Sequence, residues 1–449
     1  MKKQIVLSLL LAGVLYAQSI DDDFDEFDES STPISNETSE AMEGFDDDGS
    51  SELSEERTGF IEGLTGKLTQ QLSYAYSAKT PHDNVNSVKS SLFLDYEHKF
   101  ENGWKLKTNA KYYYDAIYDL RDEKYSKDER KENHHELALF DAYVEGSLSD
   151  SLDVKIGRQV VVWGRSDTIR ITDVLNPIDN RKPAMVDIED LRLPVGMVKF
   201  DYFIGDWRIT PIAIVEQRFS KNPPFGSAFN PMNDPRIAEE KTDDVTYALS
   251  VGGEFSGWDV NVYATKLYAD AGYVKQQSTP ILSHEKVTMV GTAFNLLWGA
   301  WLFKSEVAYF DDLHYSSTKE KSLSRTDGLL GFEYKGFADT LVSYDVALRH
   351  FNHYDSRLSH ERVPLEKETY QHALRVSADF MNATLTANYL ISLYGKALDE
   401  GGFQRAWVKY ELAQGVNFNV GLVDYIGGSV LFDSIKKNDM IFTDISYSF

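Results

Sequence analysis

Hydrophobic and polar residues alternate along most of the chain from about residue 64 onward, with the period of two that is typical of β-strands. The clearest run has an apolar face of Trp104, Leu106, Ala110, Tyr112, Tyr114, Ala116 and Tyr118, and a polar face of Lys105, Lys107, Asn109, Lys111 and Asp115. In the last run, Ile441, Ile445, Tyr447 and Phe449 face one way, and Asp444, Ser446 and Ser448 lie between them. Strands with one apolar and one polar face suit the wall of a membrane barrel, whose spans need about 9–11 residues.

The connections between these runs are alternately short and long. Short ones are predicted near 101–103, 149–151, 205–206, 256–257, 299–300, 336–338, 381–382 and 414–415. Longer polar ones are predicted at about 78–86, 119–134, 164–194, 220–242, 271–285, 312–325, 354–367, 395–401 and 428–439. This asymmetry is typical of outer-membrane barrels, which have short periplasmic turns and long external loops. It predicts an all-β fold, a transmembrane antiparallel β-barrel of about 18 strands (16–18), with both termini periplasmic.

Aromatic residues cluster beside the predicted short turns. Five of the seven tryptophans flank them: Trp104, Trp207, Trp258, Trp298 and Trp301. Such placement indicates an aromatic girdle at one membrane interface. The last strand resembles the closing strand of Gram-negative outer-membrane barrels, whose final residue is typically Phe. That resemblance implies that Tyr447 and Phe449 form a signal for the barrel assembly machinery, and that outer-membrane lipid, including lipopolysaccharide, surrounds the wall.

The amino-terminal region divides into two parts before the barrel. Lys2 and Lys3, an apolar run from Ile5 to Tyr16, and Ala17 predict a signal peptide over residues 1–17; a buried or membrane helix is the alternative, but the run is too short to span a bilayer. Residues 18–56 are expected to be a disordered periplasmic tail, with 16 acidic residues and no Lys or Arg between 21 and 56. The tail is either simply solvated or a docking strip for a periplasmic or inner-membrane exporter component. The barrel is assigned to 57–449.

Composition narrows the functional classes. The formal net charge of −25 argues against nucleic-acid binding, which needs a basic face. The chain has no cysteine, so disulfides cannot hold the fold, whereas backbone bonding in a closed barrel can. No nucleophile elbow, phosphate loop or zinc-ligand spacing is present in the sequence, so neither an enzyme activity nor a cofactor or metal is expected.

The most distinctive stretch runs from Asp141 to Pro194 and includes the long connection 164–194. Its charged residues are the candidate pore constriction: Arg158, Arg165, Arg170, Asp173, Arg181, Asp187, Glu189, Asp190 and Arg192. A loop of this length is able to fold into a lumen, where opposed charges select solutes. The alternative is an external loop braced by its own ion pairs. Arg158 shares the parity of Ile156 and would face lipid, so a bulge at Gly157 is predicted to turn it inward.

The same stretch resembles a family of uncharacterised proteobacterial outer-membrane proteins, known only as a domain of unknown function and often encoded beside resistance-nodulation-division exporters. The resemblance rests on Gly157-Arg158-Gln159 through Trp163-Gly164, on Asn176-Pro177 with Asp179, and on Asp190 to Pro194. It covers the predicted barrel but not the acidic tail. It implies an outer-membrane barrel that moves a lipid or apolar molecule together with an exporter.

Three functions are compatible with these patterns. The first is a porin-like outer-membrane channel for small or apolar molecules, gated by an inward-folded loop 164–194. The second is the outer-membrane partner of an exporter or lipid-transfer system, with contact through residues 21–56. The third is a structural or adhesion barrel. The proline- and phenylalanine-containing loop 220–242 is either an apolar entry site or a self-packed surface loop.

Overall fold

The computed structural model describes residues 62–121, 125–186, 188–275, 278–318 and 321–449. Eighteen antiparallel strands form one closed sheet, in which each strand pairs with the next barrel strand and the last pairs with the first. The barrel strands are β1 (Leu64–Ala75), β2 (Asn84–Lys99), β3 (Lys105–Asp115), β4 (His135–Ser149), β5 (Leu152–Gln159), β6 (Val195–Ile204), β7 (Trp207–Ile214), β9 (Thr246–Phe255), β10 (Trp258–Tyr268), β13 (Lys286–Trp298), β14 (Trp301–Leu313), β15 (Leu323–Phe337), β16 (Thr340–Phe351), β17 (Glu368–Phe380), β18 (Leu385–Tyr394), β19 (Gly402–Ala413), β20 (Val416–Ile426) and β21 (Met440–Ser448). The predicted fold class and strand number are confirmed.

All the short connections lie at one end of the barrel, which we call the turn end, together with the start of β1 and the finish of β21. All the long connections lie at the other end, called the loop end. The alternation read from the sequence is therefore correct at every connection. The one region where the strand count was open, 164–194, contributes no barrel strand among its described residues.

Strand parity separates the two faces of the wall. In β14, Lys304 and Glu306 are 5% and 2% exposed on the inner face, whereas Phe303 and Val307 are 38% and 49% exposed on the outer face. In β3, Lys105, Lys107 and Lys111 lie on the inner face as the alternation predicts, and Tyr112 is exposed outside. The outer face is thus apolar and the inner face polar, the arrangement of a membrane-spanning barrel.

The five predicted girdle tryptophans all lie at the turn end. Trp207 packs edge-on against Phe255, which stacks on Trp258 with ring centroids 4.2 Å apart. Trp301 lies 4.4 Å from Tyr334, and Trp298 is 72% exposed at the end of β13. Trp104 lies over Gly146 of the neighbouring strand. The sequence therefore places the aromatic residues correctly around one rim.

Shorter elements gather at the loop end. They are α1 (Ile117–Leu120), α2 (Lys127–Asn133), α3 (Ile188–Leu191), α4 (Val430–Ile435), a 3₁₀ helix at Ser356–His360, and a small sheet of β8 (Ala238–Glu239), β11 (Tyr273–Lys275) and β12 (Ile281–Ser283). Across the described ranges, no helix has the length and apolarity needed to cross a membrane. The predicted signal peptide and acidic tail lie outside the described residues.

Candidate functional site

The connection between β5 and β6 spans residues 160–194, and we call it the inward segment because its residues 163–175 lie inside the barrel. It begins four residues before the predicted start, because the N–H of Val161 donates to the Asn176 side-chain oxygen at 2.8 Å instead of extending β5. The Asn176 amide nitrogen also donates to the carbonyl oxygens of Gln159 and Leu193, at 3.3 and 3.0 Å. Asn176 is 1% exposed, so one buried amide fastens both ends of the inward segment together.

A carboxylate on the far wall holds the tip of the inward segment. Glu306 of β14 accepts hydrogen bonds from the backbone N–H groups of Arg165 at 2.7 Å and of Ser166 and Thr172 at 3.1 Å each, and from the Thr172 hydroxyl at 2.7 Å. Gly164 has a φ of +89°, and a Cβ there would lie 2.8 Å from a Glu306 oxygen. The tight turn of the inward segment therefore needs glycine beside this carboxylate.

Further interior side chains complete the attachment. Asp345 of β16 accepts from the hydroxyls of Ser166 and Thr168, at 2.7 and 2.6 Å. Lys304 of β14 pairs with Asp167 at 3.0 Å and also contacts Glu333 of β15. The contacts of Asp345 and Lys304 with the segment join residues more than 130 positions apart in the chain, and they fix the inward segment across the lumen.

The underside of the inward segment is apolar. Trp163 stacks on Tyr263 of β10 with ring centroids 4.6 Å apart. A single buried cluster joins the segment to the interior faces of β6 through β17; its segment members are Trp163, Ile169, Ile171 and Leu175. A small cavity of about 30 Å³ lies beside Leu175 and Ile214. This side of the barrel is therefore packed like a protein core.

The predicted constriction residues occupy three kinds of position. Arg165 crosses to Asp259 of β10, with a nitrogen-to-oxygen distance of 2.9 Å. Arg170 and Arg192 both bind Asp173, at 3.0 and 2.9 Å, and brace the segment internally. Arg181 binds Asp179 and Glu136 at the loop end. Asp190 is exposed; the side chain of Glu189 and the whole of Asp187 lie outside the described residues.

The bulge predicted at Gly157 is wrong. The pairing of β5 with β4 and β6 continues without a shift through Gly157 and Arg158, which lie opposite Met197 and Gly196 of β6. Gly157 has a φ of +130°, but no residue is inserted. Arg158 therefore stays on the side of Ile156, the outer face, where its Nε donates to a Glu216 oxygen at 3.0 Å.

Arg181, Asp179 and Glu136 attach the inward segment to β4, and we call them the loop-end anchor. Burial and hydrogen bonding set their charge states. Burial alone would raise the pKa of the Asp179 carboxyl, but the hydrogen bonds and positive charge of Arg181 outweigh it, so the pKa lies below its ordinary value. The pKa of Arg181 is raised in turn, although burial opposes this. Both groups remain charged at neutral pH, which keeps the segment attached to β4 through Glu136.

Other interior residues of the site were not found from the sequence. Glu306, Asp345, Lys304 and Asp259 are ordinary charged residues of strands, and the only signal for them was a charge at an inner-face position. The 220–242 loop also reaches inward: Phe229 packs against Tyr425 of β20 at 5.3 Å, whereas Phe225 lies under Arg362 of another loop. Among the described residues, no three metal-ligand side chains come together.

The chain matches one protein family and resembles several solved outer-membrane proteins in its fold. Residues 76–449 match the family model described as protein of unknown function (DUF1302). No curated protein matches the sequence. OccAB3 of Acinetobacter baumannii has a similar structure, with a TM-score of 0.51 and 12% identity over 87% of this chain and 100% of that one. The outer membrane protein opdK of Pseudomonas aeruginosa has a TM-score of 0.50 and 10% identity, over 87% of this chain and 100% of that one. OccK2 (OpdF) of the same organism, in complex with glucuronate, has a TM-score of 0.51 and 12% identity, over 87% of this chain and 99% of that one. At these identities the likeness shows a shared fold, the outer-membrane porin-like barrel.

Proposed function

Because the chain belongs to the family described as protein of unknown function (DUF1302), and its barrel carries a segment bound across its own lumen, we propose that it is an outer-membrane channel for small or apolar molecules. The attachment of the inward segment to Glu306 carries the proposal. A closed structural or adhesion barrel needs no such buried polar anchors. A channel does, because a constriction selects solutes only if its walls are held in place.

The inward segment acts as the constriction of this channel and, when released, as its gate. Glu306 accepts four hydrogen bonds in a buried site, and loss of its side-chain oxygens would leave the backbone N–H groups of Arg165, Ser166 and Thr172 without a partner. Each buried unpaired group costs about 1–3 kcal/mol. The closed arrangement is therefore stable at rest, and opening beyond the resting width requires these bonds to break.

Conductance in a planar lipid bilayer tests the channel directly. We expect the purified barrel to form pores. We expect Glu306→Gln to raise conductance and noise, because its amide N–H₂ replaces one carboxylate oxygen and cannot accept the two hydrogen bonds that this oxygen accepts. Glu254→Gln is the control, since Glu254 is exposed at the turn end. Folded protein that never conducts would refute the channel and favour a structural or adhesion barrel.

Location and orientation complete the proposal. The exposed aromatic rim at the turn end fits the periplasmic membrane interface, which puts the long loops outside the cell and both termini in the periplasm. The chain lacks cysteine, so single cysteines are clean reporters. In intact cells we expect an impermeant maleimide to label Lys127→Cys at the loop end but not Asp206→Cys at the turn end. The opposite labelling would reverse the orientation.

The acidic region 21–56 favours a second, compatible role as outer-membrane partner of an exporter. Its 16 acidic residues without a Lys or Arg would attract a basic periplasmic surface. Deletion of 21–56 is expected to abolish partner capture while single-channel conductance stays unchanged. Equal capture with and without the tail would remove this role and leave the channel in place.

A further inference from the structure

The inward segment leaves part of the barrel wall uncovered, on β1 to β3. Lys67, Phe93 and Lys111 form one row there, because Phe93 of β2 pairs with Lys67 of β1 on one side and with Lys111 of β3 on the other. All three are inner-face positions, yet both lysines are exposed. Within the described part of the chain, no carboxylate forms an ion pair with either ammonium group. Two charged ends therefore reach open space inside the barrel.

A second row lies nearer the loop end and repeats the pairing of a cation with a ring. The Lys89 ammonium lies 5.5 Å from the centre of the Tyr113 ring. Lys182, from the inward segment, lies 3.8 Å from Asp115 on β3. The electrostatic neighbours of Lys89 include Lys111, Lys182 and Arg181 as well as Asp115, so positive groups gather around this side chain.

Across β21 and β20 the wall is covered: Arg405 and Trp407 of β19 are 6% and 8% exposed, and Ala184 and Met185 of the inward segment pack against the buried cluster that contains Trp407. The Arg405 guanidinium of β19 stacks on Trp407 at 4.0 Å and lies 5.5 Å from the Phe442 ring. Asp444 is the acid of this region, where it accepts a bond from the Asn419 amide at 2.9 Å and interacts with Lys67, Lys89 and Arg405. We call the open row of Lys67, Phe93 and Lys111 the basic–aromatic strip.

The chemistry of the basic–aromatic strip points to one class of solute. Neighbouring strands lie about 4.8 Å apart, so Lys67 and Lys111 stand roughly 10 Å apart with the Phe93 ring between them. A flat apolar body fits over that ring while a carboxylate reaches either ammonium group. Hydrophilic anions would use the charges alone, and cations would be repelled.

We infer that the basic–aromatic strip is the selective site of the proposed channel and that it takes small organic anions with an aromatic or similarly flat apolar body. This inference rests on the proposed channel function. It also runs against the overall charge, since a chain with a formal net charge of −25 would by itself favour cations. Whether the channel prefers anions or cations therefore shows which of the two dominates, the basic–aromatic strip or the net negative charge of the chain.

Reversal potentials in a potassium chloride gradient, followed by blockade with added solutes, test the inference. We expect the wild-type barrel to prefer chloride over potassium, and benzoate to block chloride current at lower concentration than gluconate. The double variant Lys67→Gln/Lys111→Gln should lose the chloride preference. Phe93→Leu should keep the preference but lose the advantage of benzoate over gluconate. Lys127→Gln/Lys131→Gln is the matched control, because both lysines are exposed on α2.

The outcomes separate the inference from the channel proposal. A barrel that conducts with potassium preference, or whose chloride preference survives the double variant as it survives the control, overturns the strip but leaves the channel. Equal blockade by benzoate and gluconate overturns the aromatic part. No conductance at all overturns the channel itself. A Lys67→Arg/Lys111→Arg variant keeps both charges, and its wild-type selectivity would show that the double glutamine variant acts through charge and not through misfolding.

Discussion

Gly66 and Phe449 close the barrel by exchanging both backbone hydrogen bonds. The Gly66 N–H donates to the Phe449 carbonyl oxygen at 2.8 Å, and the Phe449 N–H donates to the Gly66 carbonyl oxygen at 2.9 Å. The Phe449 ring covers the glycine so closely that a Cβ at position 66 would lie 2.4 Å from it. The aromatic residue thus seals the seam between the first and the last strand, and position 66 must be glycine for the ring to lie there.

Gly66→Ala is therefore expected to weaken the seam. Overpacking of this kind costs about 1–3 kcal/mol, because the ring has to move away from the strand. The measurement is the temperature at which the folded barrel changes its electrophoretic mobility in detergent. Gly328→Ala is the control, because a Cβ there would meet only a Glu306 backbone oxygen at 3.9 Å. Equal loss of stability in both variants would mean that the contact with Phe449 contributes nothing.

The wall of the barrel could be predicted from the sequence because its strands and turns are determined by residues that are close together in the chain. Strand parity depends on neighbouring residues, and the turn lengths depend on short runs, so the strand number and the aromatic rim followed from reading along the chain. The interior attachments could not be predicted. Glu306 meets Arg165 across 141 positions, and nothing in either local sequence specifies the partner.

Arg158 shows how a local rule fails when a distant partner intervenes. The predicted bulge assumed that an arginine on the outer face has no partner, and so must be turned inward. Glu216, 58 positions away, supplies the partner, and the strand keeps its register. The cost of an outward arginine is also small near the end of a strand, about 0–1 kcal/mol, compared with about 2–4 kcal/mol at the membrane midplane.

The Asn176 side chain bonds to both ends of the inward segment, a contact that we call the clasp, and its removal is expected to loosen the segment. Asn176→Ala would leave the Val161 N–H and the Leu193 carbonyl oxygen unpaired in a buried site, at about 1–3 kcal/mol for each group. We expect new protease cleavage within 160–194 and noisier single-channel currents. Ser359→Ala, in an exposed loop, serves as the control. Unchanged cleavage would mean that Glu306 and Asp345 hold the segment without the clasp.

Alanine substitutions at Arg158 and Glu216, which form an ion pair on the outer face, are expected to have non-additive effects on the free energy of unfolding. Glu216 also accepts from the Gly196 N–H at 2.9 Å, so it ties β6 to this pair. Either single alanine variant leaves one charge without its partner, and each should lose about 1–3 kcal/mol in urea unfolding of the reconstituted barrel. The double alanine variant should lose less than the sum of the two. Strict additivity would show that the two side chains do not stabilise one another.

The loop-end anchor predicts stability toward acid with a definite sign. The folded-state pKa of Asp179 is lowered, because Arg181 outweighs the effect of burial, so its contribution is complete above the ordinary aspartate range near pH 4 and is lost only as pH falls through the lowered value. The neighbouring Glu136 and Lys221 belong to the same network.

We therefore expect constant conductance from pH 7 down to about 5, with release of the loop end of the segment only in stronger acid. Asp179→Asn should loosen the loop end of the segment and show at neutral pH the current noise that the wild type shows only in strong acid, whereas Asp433→Asn, exposed on α4, should behave as wild type. A wild-type transition near pH 6 would assign the release to a histidine and contradict the role of Asp179.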